Sequence, residues 1–208
     1  MSLNTQPLGE LLDAIAAKVP TPGGGAVASI TASLAAALAR MVVNYSIGRR
    51  SLARYEALHA RALNRLTERG HRALELADAD ARAYARLNQL WKLPEDDPER
   101  TAEWSAAVSA AIAAPQEVLE LAVDMLRLFE ELVETSNRML RSDLAIAAVL
   151  AEAAARAAAW NVRINLPQLG NPEEGRLREE STATLLTEIR SLCERVEQGC
   201  QDAPATEP

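Results

Sequence analysis

The chain has 208 residues, with 22 Lys or Arg against 29 Asp or Glu, a formal net charge of −7 and a hydrophobic fraction of 49%. This length suits one domain that buries roughly 70% of its unfolded surface without help from a disulfide or metal, and the acidic balance argues against nucleic-acid binding. Aromatic and β-branched residues are sparse while Ala and Leu dominate, which predicts an all-α protein.

Prolines divide the first half of the chain, because each removes a backbone N–H donor and disfavours helix in the residue before it. The pattern predicts helices over residues 8–18, 26–44 and 51–90, with a Pro- and Gly-rich connector over 19–25. The helix over 26–44 is apolar almost all round. The helix over 51–90 is amphipathic, with Arg and Glu on its outer face.

In the second half, helical pattern resumes after the acidic loop 94–98 and runs to residue 134. Pro115 either kinks this stretch or begins a new helix at its first position. An Ala-rich apolar helix is predicted over 142–165, and a last helix over 173–199.

The two Ala-rich helices, over 26–44 and 142–165, are expected at the centre of a helical bundle with the amphipathic helices packed around them. Burying both completely in a monomer of this size is demanding, so we expect a homodimer with these helices near the interface. The bundle is expected to form a single domain over residues 1–200, followed by a disordered tail over 201–208.

The sequence predicts a cytoplasmic protein with no membrane partner. The first residues lack the features of a signal peptide, and the apolar stretch 23–39 is better explained as a buried helix than as a membrane span. Cys193 and Cys200 lie about 10 Å apart along a predicted helix, beyond disulfide reach. His59 and His71 have no metal-ligand spacing and are interpreted as solvated, so no metal site is expected.

Asp80 is the most informative position in the long helix, because a bundle core does not tolerate free polar residues. It shares one face with Ala, Leu and Tyr residues and is therefore expected to point inward. The structural alternative is a carboxylate satisfied by a neighbouring helix. Asp78 lies on another side, where Arg82 can pair with it.

The helix over 142–165 carries Asp143, Asn161 and Asn165 along one stripe. An N-cap at Ser142 or Asp143 explains this end of the helix well, whereas the two amides lie in an apolar run with no such explanation. About 27 Å separates Asp143 from Asn161, so one chain cannot bring both to the same small group. A dimer could bring opposite ends together.

Gly23, Gly24 and Gly25 precede a helix, where free N–H groups and the helix dipole attract an anion or a polarised carbonyl. The same residues are also a common way to redirect a chain. A kinase-type phosphate loop is disfavoured, because no Gly-Lys-Ser/Thr follows and no strand precedes. Arg49 and Arg50 are either ordinary surface or a clamp for a carboxylate-bearing ligand.

Several motifs together resemble the cyclodeaminase/cyclohydrolase family, which includes the cyclodeaminase domain of formiminotransferase-cyclodeaminase and stand-alone methenyltetrahydrofolate cyclohydrolases. The resemblance runs from about Leu8 to Gly199. It implies an all-helical, dimeric folate enzyme that uses no metal or other cofactor. The motifs are Pro20-Thr-Pro-Gly-Gly-Gly25, Asn44-x-x-Ile-Gly48-Arg-Arg50, Asp78-Ala-Asp80-Ala-x-Ala-Tyr84, Leu93-Pro94, Ser142-Asp143 and Asn161-Val-Arg-Ile-Asn-Leu166.

The chain departs from the family pattern at two places. Ala26 replaces a common Ser after the glycines, and Ser136-Asn137 replaces a common Gly-Asn pair. Neither change removes a carboxylate, but both leave open whether the substrate is the usual one.

The resemblance implies chemistry at the carbon that bridges N5 and N10 of tetrahydrofolate. In cyclodeamination N10 attacks the amidine carbon and ammonia leaves, whereas in the cyclohydrolase water attacks the same carbon of the 5,10-methenyl cation. Both reactions need a group that moves protons and a negative group that stabilises the cation. The candidate residues are Asp80 and Asp143 for catalysis, Asn161 and Asn165 for the pterin edge, Gly23, Gly24 and Gly25 for close backbone approach, and Arg49 and Arg50 for the glutamate tail.

The sequence does not separate cyclodeaminase from cyclohydrolase, because both share the tetrahedral carbon. A non-catalytic helical dimer that serves as a scaffold or regulatory subunit is the alternative function. Such a protein would show the same Ala-rich core, but it would not need Asp80 on an apolar face.

Overall fold

The computed structural model describes residues 3–201 and contains six α-helices in that range, with no strand among those residues. The all-α prediction is confirmed. Of the expected tail, Gln201 ends the last helix and residues 202–208 lie outside the described range. The helices are α1 (Leu8–Ala16), α2 (Gly24–Asn44), α3 (Glu56–Trp91), α4 (Pro98–Leu132), α5 (Arg141–Asn165) and α6 (Pro172–Gln201), with 3₁₀ turns at Leu3–Thr5, Arg50–Tyr55, Arg138–Leu140 and Leu166–Gln168.

The observed helices differ most from the predicted ones at α3 and α4. A 3₁₀ turn occupies the first residues of the predicted 51–90 helix, so α3 begins at Glu56. The Asp97 side chain caps α4 by accepting hydrogen bonds from the backbone N–H groups of Glu99 and Arg100. Pro115 lies buried inside α4, which continues through it, so the alternative of a new helix at Pro115 is wrong.

Small side chains let the central helices approach closely. α2 packs on both α3 and α5, and α4 packs on α3, α5 and α6. The alanines that face inward on α2 and α5 are completely buried, among them Ala36 and Ala151. At Gly70 of α3, an added Cβ would lie 3.4 Å from the Ala36 Cβ, at the limit of ordinary van der Waals contact, so α2 and α3 approach closely here.

The outer faces of α2 and α5 are apolar and exposed. Along α2 the exposed face includes Val27, Leu34 and Tyr45. Along α5 the corresponding side chains include Ile146 and Trp160, the latter 72% exposed. Apolar side chains in continuous rows on neighbouring helices are typical of a surface that is covered by another molecule.

Three helical segments, Gly24–Asn44, Pro98–Leu132 and Arg138–Gln168, are long and apolar enough by composition to cross a membrane. Each buries a substantial part of that apolar length inside the bundle. Their hydrophobicity therefore serves in part to form the core, while the rest lies on the outer faces of the helices.

Two local predictions about polar residues have different outcomes. His71 is exposed, as expected, but His59 is completely buried, and its Nε2 lies 2.6 Å from the carbonyl oxygen of Thr135. The prediction of a solvated His59 is wrong, because α4 ends beside it. Cys193 and Cys200 are free thiols, in agreement with their spacing.

Candidate active site

A cavity of about 360 Å³ opens where the start of α2, the second half of α3 and the end of α5 meet. The chain therefore brings together residues from three motifs that are far apart in sequence. Its lining residues are Pro20, Thr21, Gly23, Gly24, Gly25, Asp80, Tyr84, Trp91, Ala111, Asn161, Ile164 and Asn165.

Asp80 points from α3 toward the N-terminus of α2. Its carboxylate accepts a hydrogen bond from the backbone N–H of Ala26, which replaces the side-chain cap that Gly23 does not provide. Burial penalises the charged form and raises the pKa of Asp80 to about 6, although the Ala26 N–H opposes this shift. Asp80 is thus a half-buried carboxyl that exchanges its proton near neutral pH.

The close approach of the Asp80 carboxylate to the start of α2 requires a glycine at position 25. A Cβ added at Gly25 would lie 2.1 Å from Oδ1 of Asp80, whereas a Cβ at Gly24 would lie 3.5 Å from Oδ1 of Asn161. Of the three glycines at positions 23–25, only Gly25 has no room for a side chain. The glycine run therefore allows the helix backbone to reach the carboxylate directly.

Asn161 and Asn165 present mainly acceptor atoms to the cavity. Nδ2 of Asn161 donates to the carbonyl oxygen of Ala157 at 3.0 Å, and Nδ2 of Asn165 donates to that of Asn161 at 2.9 Å. Nδ2 of Asn165 also donates to the carbonyl oxygen of Ala111, so both of its N–H groups are used, whereas Asn161 uses only one of its two. The two Oδ1 atoms and one N–H of Asn161 are therefore the groups available to a ligand. This wall of the cavity is suited to a ligand edge rich in N–H donors.

Pro115 affects the same wall through Ala111, the α4 residue that lines the cavity. A proline lacks the N–H that would bond the carbonyl four residues earlier, here that of Ala111. Nδ2 of Asn165 lies 3.4 Å from this oxygen and donates to it. The interruption of the α4 hydrogen-bond ladder thus joins α4 to the end of α5 at the cavity.

Asp143, Arg49 and Arg50 do not lie at the cavity within one chain. Asp143 is in the first turn of α5, at the opposite end from Asn161. The N-cap of α5 is Leu140, so the prediction of an N-cap at Ser142 or Asp143 is wrong. Arg49 is exposed, and its Nε donates to the carbonyl oxygen of Tyr45. A single chain does not bring these three residues to the cavity. Their predicted roles stay predictions.

The two departures from the family pattern have different positions. Ala26 is completely buried beside Asp80, so a serine hydroxyl there would need a buried partner. Asn137 lies at the other end of the bundle, where its backbone N–H donates to Oγ of Ser46 and its Oδ1 accepts from Met139. Its neighbour Ser136 does not need the backbone freedom of glycine, because no described non-glycine residue has a positive φ.

Sequence reasoning missed the aromatic part of the cavity, Tyr84 and Trp91. Both side chains are 39% exposed, and their rings lie 6.4 Å apart at 72°. The helical spacing from Asp80 to Tyr84 and then to Trp91 was the available signal, because steps of four and seven residues keep side chains on one face. Ile164, between the two amides, was also missed.

No group of three potential metal ligands occurs within residues 3–201. The groups that line the described cavity are one carboxyl group, two side-chain amides, the hydroxyls of Thr21 and Tyr84, backbone groups and aromatic rings.

Asp80 also makes stability depend on pH. Because it binds its proton more tightly in the folded chain than in the unfolded one, the stability contributed by that proton is lost as pH rises from the ordinary pKa of 3.8 to about 6. We expect Asp80→Asn to be more stable than the parent at pH 8, by on the order of 2 kcal/mol, and to lose most of this advantage at pH 4.5. Urea denaturation at both pH values measures the difference. An advantage that does not change with pH would contradict the raised pKa.

The chain matches the family model described as formiminotransferase-cyclodeaminase over residues 7–183. Formimidoyltransferase-cyclodeaminase of Sus scrofa is 31% identical over 91% of the chain, which spans only 36% of that relative's length. Methenyltetrahydrofolate cyclohydrolase of Methylorubrum extorquens is 31% identical over 89% of the chain and 91% of the relative. A crystal structure of formiminotetrahydrofolate cyclodeaminase from Thermotoga maritima superposes with a TM-score of 0.89 at 28% identity, covering 96% of the chain and 98% of that protein.

Proposed function

The chain belongs to the formiminotransferase-cyclodeaminase family, and from this premise we propose that it is a folate enzyme that acts at the carbon bridging N5 and N10 of tetrahydrofolate. The observation that carries the proposal is Asp80, a half-buried carboxyl with a raised pKa in a cavity of suitable chemistry. The reaction is that of a methenyltetrahydrofolate cyclohydrolase or a formimidoyltetrahydrofolate cyclodeaminase. A scaffold protein would not need such a carboxyl group beside a glycine that admits no side chain.

Asp80 is the group that moves the proton. In hydrolysis of the methenyl cation, its ionised form accepts a proton from the attacking water and returns it to the ring nitrogen whose bond to the bridging carbon breaks. In cyclodeamination it accepts the N10 proton as N10 attacks, and its protonated form then donates to the departing ammonia. A pKa of about 6 makes both forms accessible near neutral pH. The negative charge of the ionised form also stabilises the cationic carbon.

The amides and the glycine run position the substrate. The Oδ1 atoms of Asn161 and Asn165 are available to accept hydrogen bonds from the N–H groups of the pterin ring. Gly24 lies against Asn161, so the backbone at the start of α2 contacts the same ligand. We expect no metal or other cofactor to take part, because proton transfer and charge stabilisation are tasks that carboxylates perform.

Two relatives that are themselves covered over almost their whole length have different names, cyclohydrolase and cyclodeaminase. The deciding experiment offers the purified protein 5,10-methenyltetrahydrofolate and 5-formimidoyltetrahydrofolate in separate reactions and follows the methenyl absorbance. Loss of absorbance from the first substrate shows cyclohydrolase activity, and its appearance from the second shows cyclodeaminase activity. If neither folate reacts, the proposed function is wrong.

We also propose that the protein is a cytoplasmic homodimer that pairs the exposed faces of α2 and α5. Free Cys193 and Cys200 suit a reducing compartment. A two-fold axis perpendicular to the helices would place the end of one α5 beside the start of its partner. Asp143 and the Arg49–Arg50 pair of one subunit would then approach the cavity of the other, which is the arrangement that a single chain lacks.

The mass in solution tests the dimer. Light scattering should give twice the 22.4 kDa of the chain, and Leu34→Glu should yield a folded monomer, because a charge at the middle of the α2 face cannot be buried unpaired. Leu177→Glu, at an equally exposed site on α6, is the control and should leave the dimer intact. A parent protein that is monomeric at micromolar concentration would contradict the proposal.

Mixed dimers test whether the two subunits share a site. If Asp80 acts with Asp143 of the partner, subunits with Asp80→Asn and subunits with Asp143→Asn are each inactive alone. Their random mixture regains about a quarter of the parental activity, since half of the dimers contain one intact site. A mixture that stays inactive would show that the two carboxylates do not combine across the interface.

A further inference from the structure

Three aromatic side chains form a row that begins inside the cavity and leads out of it. Tyr84 and Trp91 line the cavity with ring centroids 6.4 Å apart, and Trp91 meets Trp104 of α4 at 6.1 Å and 67°. Both contacts are edge-to-face, the arrangement that aromatic rings prefer. The row therefore extends from the proton-transferring carboxyl along α3 toward the loop before α4.

The outer end of the row is fixed by two further interactions. Nε1 of Trp104 donates to the carbonyl oxygen of Gln168 at 3.3 Å. The Arg100 guanidinium lies 4.7 Å from the centre of the Trp104 ring and donates to the carbonyl oxygen of Leu93 at 2.8 Å. Trp104 thus supports Trp91 from behind, so the exposed part of Trp91 is held in place before any ligand arrives.

The inner rings are poorly explained by packing alone. Tyr84 and Trp91 leave 39% of their surface exposed at the wall of a cavity whose carboxylate and amide groups lie elsewhere, on Asp80, Asn161 and Asn165. Large aromatic side chains at a cavity mouth are typical of sites that bind a flat apolar group. The cavity therefore has one region for hydrogen bonding and another for stacking.

The proposed substrate has a matching division. Its pterin carries N–H donors, whereas the faces of its p-aminobenzoyl ring carry no hydrogen-bond donor. That ring is attached directly to N10. A reacting carbon beside Asp80 places the p-aminobenzoyl ring within one helical turn of that carboxyl, and Tyr84 lies one turn further along α3. The pterin is left on the side of Asn161 and Asn165.

We propose that Trp91, with Tyr84 beside it, is the stacking surface for the p-aminobenzoyl ring of the folate substrate. The inference rests on the proposed function and deepens it by assigning one part of the substrate to one wall. Trp91 then determines affinity for the arylamine arm without taking part in proton transfer. Trp104 is a positioning residue that acts through Trp91.

Trp91→Leu should raise KM for the reacting folate about 10-fold, the usual scale for loss of a stacked ring, with kcat changed less than twofold. Trp91→Phe should restore most of the affinity, because it returns an aromatic face. Trp104→Leu should also raise KM, but less than Trp91→Leu does. The control is Lys92→Leu, which introduces the same side chain at the next, exposed position outside the cavity.

Binding of the two substrate fragments separates the walls. Calorimetry with p-aminobenzoyl-glutamate should show weaker binding to Trp91→Leu and unchanged binding to Asn161→Ala, and 6-methylpterin should show the reverse. If Trp91→Leu instead loses 6-methylpterin, or binds p-aminobenzoyl-glutamate like the parent protein, the inference is overturned. A parent protein that turns over folates while these fragment results fail would refute only the stacking assignment, whereas absence of turnover refutes the function.

Discussion

Asp80→Asn should lower kcat by about 10²–10⁴-fold and leave folate binding largely unchanged. Asparagine keeps the size of the side chain and can still accept a hydrogen bond from the Ala26 N–H, so the start of α2 is preserved. It cannot accept or release a proton near neutral pH. The expected loss is therefore one of acid–base catalysis, which appears in kcat while the dissociation constant stays nearly constant.

Asp78→Asn is the matched control for this result. Asp78 lies two residues earlier on α3 and accepts a hydrogen bond from the backbone N–H of Leu3 at 2.8 Å, outside the cavity. It should retain activity close to that of the parent. If Asp80→Asn turns over either folate at the parental rate, Asp80 is structural and Asp143 becomes the candidate for proton transfer.

Gly25→Ala should reduce activity by about 10²-fold or more, because it moves the carboxyl group that carries the reaction. The new Cβ would lie 2.1 Å from Oδ1 of Asp80, so either the carboxylate or the start of α2 must shift. Overpacking of this kind costs about 1–3 kcal/mol of stability, part of which alanine regains through its higher helix propensity. Activity and thermal unfolding are measured on the same preparation.

Gly24→Ala separates this steric effect from the general consequence of replacing a glycine. Its Cβ would meet the Asn161 amide at 3.5 Å, an ordinary contact, so we expect only a modest change in KM. Equal activity losses at both positions would argue against a specific role of the contact between Gly25 and Asp80.

The helices and half of the candidate site could be predicted because their signals are local. Asp80 interrupts an apolar face at helical spacing, and Asn161 and Asn165 interrupt another. The inward direction of Asp80 needed no more than this periodicity. Its hydrogen bond with Ala26 and its raised pKa depend on how α2 and α3 pack, which no local pattern contains.

Other features escaped prediction because their partners are distant in sequence. His59 is buried by the end of α4, where Thr135 supplies a carbonyl oxygen, and nothing near His59 in the sequence indicates this. Trp91 reaches the cavity because α3 continues to its last turn beside α4. The Arg49–Arg50 pair has a local signal for an anion site but lies away from the cavity, since local charge does not specify the neighbouring helix.

Pro115 shows that repairing an irregular helix for stability can conflict with the geometry of the cavity. A design procedure that repairs irregular helices would replace it with alanine, because a complete hydrogen-bond ladder stabilises α4. The repaired helix would claim the carbonyl oxygen of Ala111 for its own backbone and compete with the Asn165 amide that now uses it. A substitution that raises thermostability at position 115 would therefore disturb the geometry of the cavity wall. Stabilising substitutions are better sought in α6 or on the outer face of α3.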